Sequence, residues 1–486
     1  MSLRPKLDLL DRGMVERILG EAFALLQSPG VKVGSQEARD LLASEGARVE
    51  DEIAHIPERI VRRALESVPR EFCLYSRPGQ CAVHYGGDQV HFDPGSSCLD
   101  ILDSESGQPR LAMADDLVRL LKVTEKLPQF AAQSTAMVCN DVPSEMGDWY
   151  RLLLVLWFSD KPVVTGSFSA QTLGVMLRLL AADAGGTEAL RAQPRAVFDV
   201  CPSPPLNWSS FAAENLMALA KAGVPAEMIP MPLAGATAPV TLAGAIVQHA
   251  AEALAGVAIH QLACAGSPLV WGGAPAIFDM GSGNTPMGAI ETAMLNIGCA
   301  QVGKWLNMPT HGYLVASDAR RLDAQAGMES GASAVLGALA GINMISGAGM
   351  LHFLSCHSVE KLVVDAEAIA SAQRLITGVE PHGETLALGM FAQTGLSGEF
   401  LKLKETRALF RLEQHFPSDI VDRDTATSDL MSRARQRVDE LLAGYQRPKI
   451  NPEIEQTLLE IARREGLRAG LDHLPGISSP ATVVLR

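Results

Sequence analysis

P-T-H-G-Y-L-V-A-S-D-A-R-R-L-D-A-Q-A-G-M-E-S, residues 309–330, runs on as G-A-S-A-V-L-G-A-L-A-G-I-N-M-I-S-G-A-G to residue 349. Residues 312–316 are apolar and β-leaning. A polar knot follows, holding Ser317, Asp318, Arg320, Arg321, Asp323, Gln325 and Glu329. Next come a helix of small residues and a second strand, 342–346, ending at Gly347 and Gly349. Strand, polar loop, helix and strand make one βαβ unit. In closed α/β barrels, chemistry sits where the strands end. The plainer alternative for these charges is a solvated loop with a helix N-cap.

Outward from this unit the pattern repeats. β-like runs at 90–102, 130–139, 162–168, 196–201, 227–232, 268–272, 310–316 and 342–346 alternate with helical spacing at 114–126, 148–158, 171–182, 209–222, 241–265, 286–306, 325–340 and 358–377. Eight strand–helix units between residues 90 and 377 predict an α/β fold, a (β/α)8 TIM barrel with parallel strands. An open doubly wound sheet is the competing architecture, but no Gly-rich dinucleotide fingerprint appears. The predicted organisation is an N-terminal helical cap with a β-hairpin over 1–89, a barrel over 90–383 and a C-terminal helical extension over 384–486. Within the cap, residues 8–75 read as helical apart from an extended piece at 53–56, with Pro57 opening a helix. Gly86-Gly87-Asp88 is read as the hairpin turn. The extension ends in a charged helix at 452–468 and is expected to pack outside the barrel or against another subunit.

The chain has 486 residues, 47% hydrophobic and 20% charged, with net charge −14 and pI near 5.3. This is a globular composition with room for a large core. The acidity argues against nucleic acid or an anionic membrane as partner and leaves cationic small molecules open. Eight cysteines without a CxxC pair suit free buried thiols in a reducing cytoplasm. The N-terminus, M-S-L-R-P-K-L-D, lacks the apolar core of a signal peptide, so a cytoplasmic location is expected. Residues 331–356 carry no Asp, Glu, Lys or Arg, yet five glycines and several polar groups interrupt them. They and 242–265 read as buried barrel segments rather than membrane spans.

Gly298 to Lys304 has phosphate-loop spacing but lies inside a helix, whose N–H groups are already used. Cys356, His357 and His352 are close enough to suggest a metal or a thiol–imidazole pair, but two or three such residues in one loop are more often incidental, and no metal is expected. The loops after the strands are richer. Aromatic residues make up only 5% of the chain, yet several fall at strand ends beside carboxylates. Aromatic faces with carboxylates suit an organic cation. Rings that merely plug the barrel mouth are an equal alternative.

Several runs carry a family resemblance: C-P-S-P-P-L at 201–206, M-P-L-A-G-A-T-A-P-V-T-L-A-G at 231–244, S-D-A-R-R-L-D-A-Q-A-G-M-E at 317–329, V-E-K-L-V-V-D at 359–365 and F-C-L-Y-S-R at 72–77. The chain resembles the trimethylamine methyltransferase family of corrinoid-dependent enzymes. The resemblance implies a TIM barrel that passes a methyl group from a methylated amine to Co(I) of a separate corrinoid protein. Archaeal trimethylamine enzymes of that family use pyrrolysine near the strand that here ends at about 313–317. This chain has only standard residues there, so it resembles the non-pyrrolysine branch. The known substrates of that branch are quaternary amines such as glycine betaine, proline betaine and carnitine.

On this basis Trp271, Phe278 and Phe353 are expected to face the ammonium group, with Asp279 or Asp323 balancing its charge. Gln325, Glu329 and His352 are expected to order the loops or to bind a substrate carboxylate, which Arg320 also suits. Asp323, Gln325 and Glu329 are the catalytic candidates; Trp271, Phe278, Asp279, Arg320, His352 and Phe353 are the substrate-binding ones. No cobalamin-binding D-x-H-x-x-G occurs, so the corrinoid (cobalamin) is expected on a partner protein, with none tightly bound here. A homo-oligomer is expected. A non-catalytic quaternary-amine sensor or scaffold is the alternative function. A Schiff-base lyase or aldolase is disfavoured by the positions of Lys161 and Lys304.

Overall fold

Each apolar run is followed by a helix that must cross back over the sheet, and such crossovers make neighbouring strands parallel. The computed structural model describes residues 3–424, 428–471 and 473–477. Its barrel strands are, in chain order, His91–Pro94, Gln133–Ser134, Val163–Gly166, Ala196–Val200, Ala226–Met228, Leu269–Trp271, His311–Tyr313 and Met344–Ala348. Strands two to six pair in order, as do seven, eight and one, all in parallel. A Trp271–Thr310 bridge joins strand six to seven. The Ala131 N–H donates to the Phe92 carbonyl at 3.0 Å, joining strand two to one. The ring is closed, as the eightfold repeat predicts. Its helices are Ala114–Lys126, Gly147–Phe158, Ala170–Ala184, Ser210–Ala222, Leu242–Ala263, Ile290–Trp305, Ala324–Ala340 and Val359–Ile376.

Side chains alternate along each strand. Phe92, Val163, Phe198, Leu269 and Ile345 belong to the main core under the helices. Ala132, Val164, Val197, Val270 and Met344 cluster instead with Leu74, Val83 and Tyr85. The latter three lie on a hairpin, Phe72–Tyr75 paired with Cys81–Tyr85, which plugs the N-terminal end of the barrel. Fully burying one large apolar side chain contributes roughly 1.5–3 kcal/mol, so the plug holds through several such contacts.

Two readings of this region are corrected. The hairpin turns at Ser76–Gln80, not at Gly86-Gly87-Asp88. Gly79 adopts φ +81°, and Arg77 is anchored by the Ser159 carbonyl, Asp160 and Asp183. Gly86 and Gly87 instead link the hairpin to the first barrel strand, where Asn343 Nδ2 donates to both their carbonyls. The new turn brings Cys73 and Cys81 together as a disulfide, so the expectation of eight free thiols fails. The pairing is made across the hairpin, which spacing along the chain does not reveal.

Helices Arg12–Gln27 and Glu58–Ser67 rest on the fifth barrel helix. Between them lies a small sheet, Val31–Val33, Arg48–Glu50 and Ile53–His55, where the sequence predicts one extended piece. Asn207–Trp208, from the loop after strand four, extends that sheet in parallel. The fifth helix, Leu242–Ala263, is the one described helix long and apolar enough to cross a membrane; 78% of that stretch is buried in this fold.

The run at 90–102 splits in two. His91–Pro94 enters the barrel, while Asp100–Leu102 joins a separate sheet with Pro109–Leu111, Cys356–His357 and Met350–Leu351. At the break, Gly95 passes so close to Met350 that a Cβ there would overlap its side chain. At the C-terminus, Leu430–Ala443 and Pro452–Arg468 dock on barrel helices, whereas Leu388–Thr394 and Lys404–Glu413 bury no residue.

Candidate active site at the barrel mouth

Most inward positions near the N-terminal end are apolar, but the next layer is not. Asp93, Asp199 and Glu227 come from strands one, four and five, with His311 and Tyr313 from strand seven and Ser346 from strand eight. Asp199 is in register with Gly166 on one side and Glu227 on the other. Gly272 follows strand six against Glu227, and a Cβ there would meet the Met228 carbonyl oxygen at 2.6 Å. Only glycine fits at this position.

Asp93 and Glu227 are fully buried, and His311 is 4% exposed. Ser346 Oγ donates to Asp93 Oδ1 at 2.5 Å and lies 3.0 Å from His311 Nε2. Tyr85 OH, rising from the plug, donates to Glu227 Oε1 at 3.4 Å. Asp93 Oδ2, Asp199 Oδ1, Glu227 Oε2 and His311 Nδ1 have no protein partner. Four orphaned polar atoms in one layer are unusual for a finished core, where such groups are almost always paired. The four atoms are themselves shut off from solvent, but Asp199 as a residue is half-buried, and Cys201 and Met231 at the ends of strands four and five are exposed.

The electrostatics follow from this desolvation. Burial pushes Asp199 up to about 7, partly offset by its hydrogen bond with Glu227. Burial, then the charges of Asp199 and Asp93, raises Glu227 well above the usual carboxyl range. Burial likewise raises Asp93, against the Ser346 hydrogen bond. His311 is lowered to about 3 by burial and is neutral. No lysine or arginine is among the groups acting on these three acids.

The residues expected from the sequence lie mostly around this layer. Glu329 accepts from Ser317 Oγ at 2.5 Å and from the Asp318 N–H at 2.9 Å, and Gln325 donates to it at 2.8 Å. Asp323 caps the seventh helix through the Ala326 N–H. Asp318 receives the N–H groups of Met287 and Gly288, and burial raises it to about 6. The polar knot thus ties the loop after strand seven to the start of the sixth helix. His352 Nε2 lies 2.9 Å from the Arg320 carbonyl, while the Arg320 side chain is exposed. His352, Phe353 and Leu354 all have positive φ, between 50° and 70°, a costly left-handed turn after strand eight. Phe278 and Phe353 are half-buried on loops after strands six and eight. Asp279 is exposed, and it accepts from the Gly281 N–H and from Ser282 Oγ within its own turn.

Trp271 is corrected. Its indole points outward, packs over Gly303 of the sixth helix and donates to the Cys299 carbonyl at 2.9 Å. The strand end was located correctly, but the period-two alternation turns this side chain away from the axis. The same alternation is the signal that was missed for Asp199 and Glu227. A carboxylate centred in an apolar barrel strand faces either the helix layer or the axis, and A-V-F-D-V and A-E-M place theirs on the axis.

A model of the family described as trimethylamine methyltransferase (MTTB) matches residues 2–467. The trimethylamine methyltransferase MttB of Desulfitobacterium hafniense is 28% identical over 446 residues, covering 90% of each chain. The glycine betaine methyltransferase of Desulfitobacterium hafniense strain Y51 is 26% identical over 476 residues, covering 96% of this chain and 99% of its own. The crystal structure of the Methanosarcina barkeri monomethylamine methyltransferase MtmB superposes with a TM-score of 0.52 at 13% identity, covering 96% of this chain and 89% of that one; it speaks for the fold. With the closed barrel and a match over nearly its whole length, the chain belongs to the trimethylamine methyltransferase family.

Proposed function

We propose that this enzyme takes a methyl group from a small quaternary amine of the betaine type and passes it to Co(I) of a corrinoid carried by a separate protein. The observation that carries this reading is the acid layer: three carboxyl groups with unpartnered oxygens and, among the described residues, no lysine or arginine as a main influence on them. A permanent cation supplies the missing charge. Family membership and the likeness to a glycine betaine methyltransferase support the same class.

The reaction asks little acid–base work of the protein. A quaternary ammonium loses its methyl and leaves as a neutral amine, so positioning and exclusion of water dominate. Asp199 and Glu227 hold the ammonium group, and the Tyr85 hydroxyl orients Glu227 from below. Phe278 and Phe353 offer ring faces at the rim. Asp323, Gln325, Glu329 and His352 order the loops after strands seven and eight, and the exposed Arg320 meets a substrate carboxylate. The open mouth above Cys201 and Met231 fits a group presented by another protein. When presented, the corrinoid supplies the nucleophile.

The test mixes purified protein, its cognate corrinoid protein reduced to Co(I) and a panel of quaternary and tertiary amines. Consumption of Co(I) with formation of the demethylated amine is expected for a quaternary amine. Saturable binding without demethylation would support the sensor reading instead.

A further inference from the structure

We propose that the acid layer is a cation-for-proton exchange site: seating a quaternary ammonium against Asp93, Asp199 and Glu227 expels a proton from this cluster. This inference rests on the reading of the substrate as a permanent cation and adds how the protein accommodates its charge.

The geometry sets the exchange. The three carboxyl groups come from strands one, four and five and share one layer, with Asp199 and Glu227 in register. The groups facing them from the other elements are neutral or further acids. Tyr85 comes from the plug, His311 and Tyr313 from strand seven, and Ser346 from strand eight. Gly166 and Gly272 contribute no side chain, and Val270 is apolar. Three ionised carboxylates in so desolvated a layer repel one another, so the empty site keeps protons. Each of the three has one oxygen without a partner in the fold, so a cation placed among them would act through its charge and favour their ionised forms. Once that charge is present, the ionised carboxylate becomes the favoured form and a proton goes to solvent.

Two features make the exchange accessible at neutral pH. Asp199 is half-buried where Asp93 and Glu227 are fully buried, and its burial raises it to about 7. Asp93 is joined to His311 through the Ser346 hydroxyl. That chain can run in either direction. With Asp93 ionised, His311 Nε2–H donates to Ser346, which donates to Asp93. With Asp93 protonated, Asp93 donates to Ser346, which donates to His311. The chain stays bonded whichever acid holds the proton.

The sign follows from linkage. A ligand that releases protons binds more tightly as pH rises through the titration of the free site. Affinity for glycine betaine should therefore increase between pH 6 and 8, by up to about tenfold per pH unit.

The experiment is calorimetric titration of the full chain with glycine betaine at pH 7, in phosphate and in Tris, whose ionisation heats differ widely. Roughly half to one proton released per site is expected, read from the difference between the two buffers. The isostere 3,3-dimethylbutanoate, which keeps the carboxylate but has a tert-butyl group in place of the cationic head, should release none. Asp199→Asn should bind glycine betaine with a much smaller buffer dependence. Saturable binding with the same heat in both buffers overturns the exchange and leaves the proposed substrate class standing. Unchanged proton release in Asp199→Asn and in Glu227→Gln overturns its assignment to this cluster. No saturable heat with glycine betaine, carnitine or tetramethylammonium overturns the substrate class, and the exchange with it.

Discussion

Asp199 and Glu227 stand in register on adjacent barrel strands, and among the described residues no lysine or arginine is a main influence on either. Such a pair weakens the fold as it ionises. Burial holds Asp199 at about 7, against an ordinary value of 3.8. Between those two values the native chain keeps a proton that the unfolded chain has released. Stability therefore falls as pH rises through this window and levels off above it.

Asp199→Asn removes that loss. In urea unfolding, the variant should gain on the parent as pH is raised from 4 to 8, by on the order of 1–2 kcal/mol after allowance for partial exposure. Parallel pH profiles for the two proteins would mean that Asp199 does not titrate in this range.

Trp271 tests the orientation of the strands. Its ring is fully buried against the sixth helix. Trp271→Phe should cost about 1–2 kcal/mol through the lost hydrogen bond and some packing, and Trp271→Ala about 3–5 kcal/mol. Glycine betaine should bind Trp271→Phe as tightly as the parent. A tenfold weaker dissociation constant in that variant would return the indole to the cation site.

The barrel was legible because its signal is repeated: eight apolar runs, each followed by a helix of the right length, leave few topologies open. The polar knot was legible as a cluster at a strand end, and it does gather at the end of strand seven. Its work, however, is local. Asp323 caps a helix, and Glu329 clamps the backbone at Asp318. Loop charges are conspicuous in a sequence because they interrupt apolar text. Asp93, Asp199 and Glu227 sit singly inside strands, so their convergence exists only once the ring closes. The Cys73–Cys81 pairing escaped for the same reason, being made by a turn rather than by spacing.

The loops after strands seven and eight share a buried anchor. Lys361 Nζ donates to the Val315 carbonyl at 3.1 Å, to Ser330 Oγ at 2.8 Å and to Asp365 at 2.5 Å. Asp365 in turn accepts the Gly349 N–H at 2.7 Å. Lys361→Met leaves the Asp365 carboxylate buried without its partner and should cost about 3–5 kcal/mol. Lys361→Met with Asp365→Leu should recover much of that loss. Chemical unfolding of the three proteins decides the point. A double variant as unstable as the single one would show that the cost lies in the lost loop contacts, not in the stranded charge.

The plug beneath the acid layer offers a test by chemistry alone. Six cysteines are free, and the other two form the Cys73–Cys81 bridge. Protein denatured without reductant should therefore titrate six thiols with a disulfide reagent, and eight after reduction. The bridge spans a sequence separation of 8. Closing so short a loop stabilises the folded chain by roughly 2–3 kcal/mol in the chain-entropy picture. Cys73→Ser with Cys81→Ser should lower stability by about that amount. Because Tyr85 on the same hairpin touches Glu227, the double variant should also bind glycine betaine more weakly at neutral pH. Eight thiols titrated before reduction would remove the bridge and leave the plug held by its apolar contacts alone.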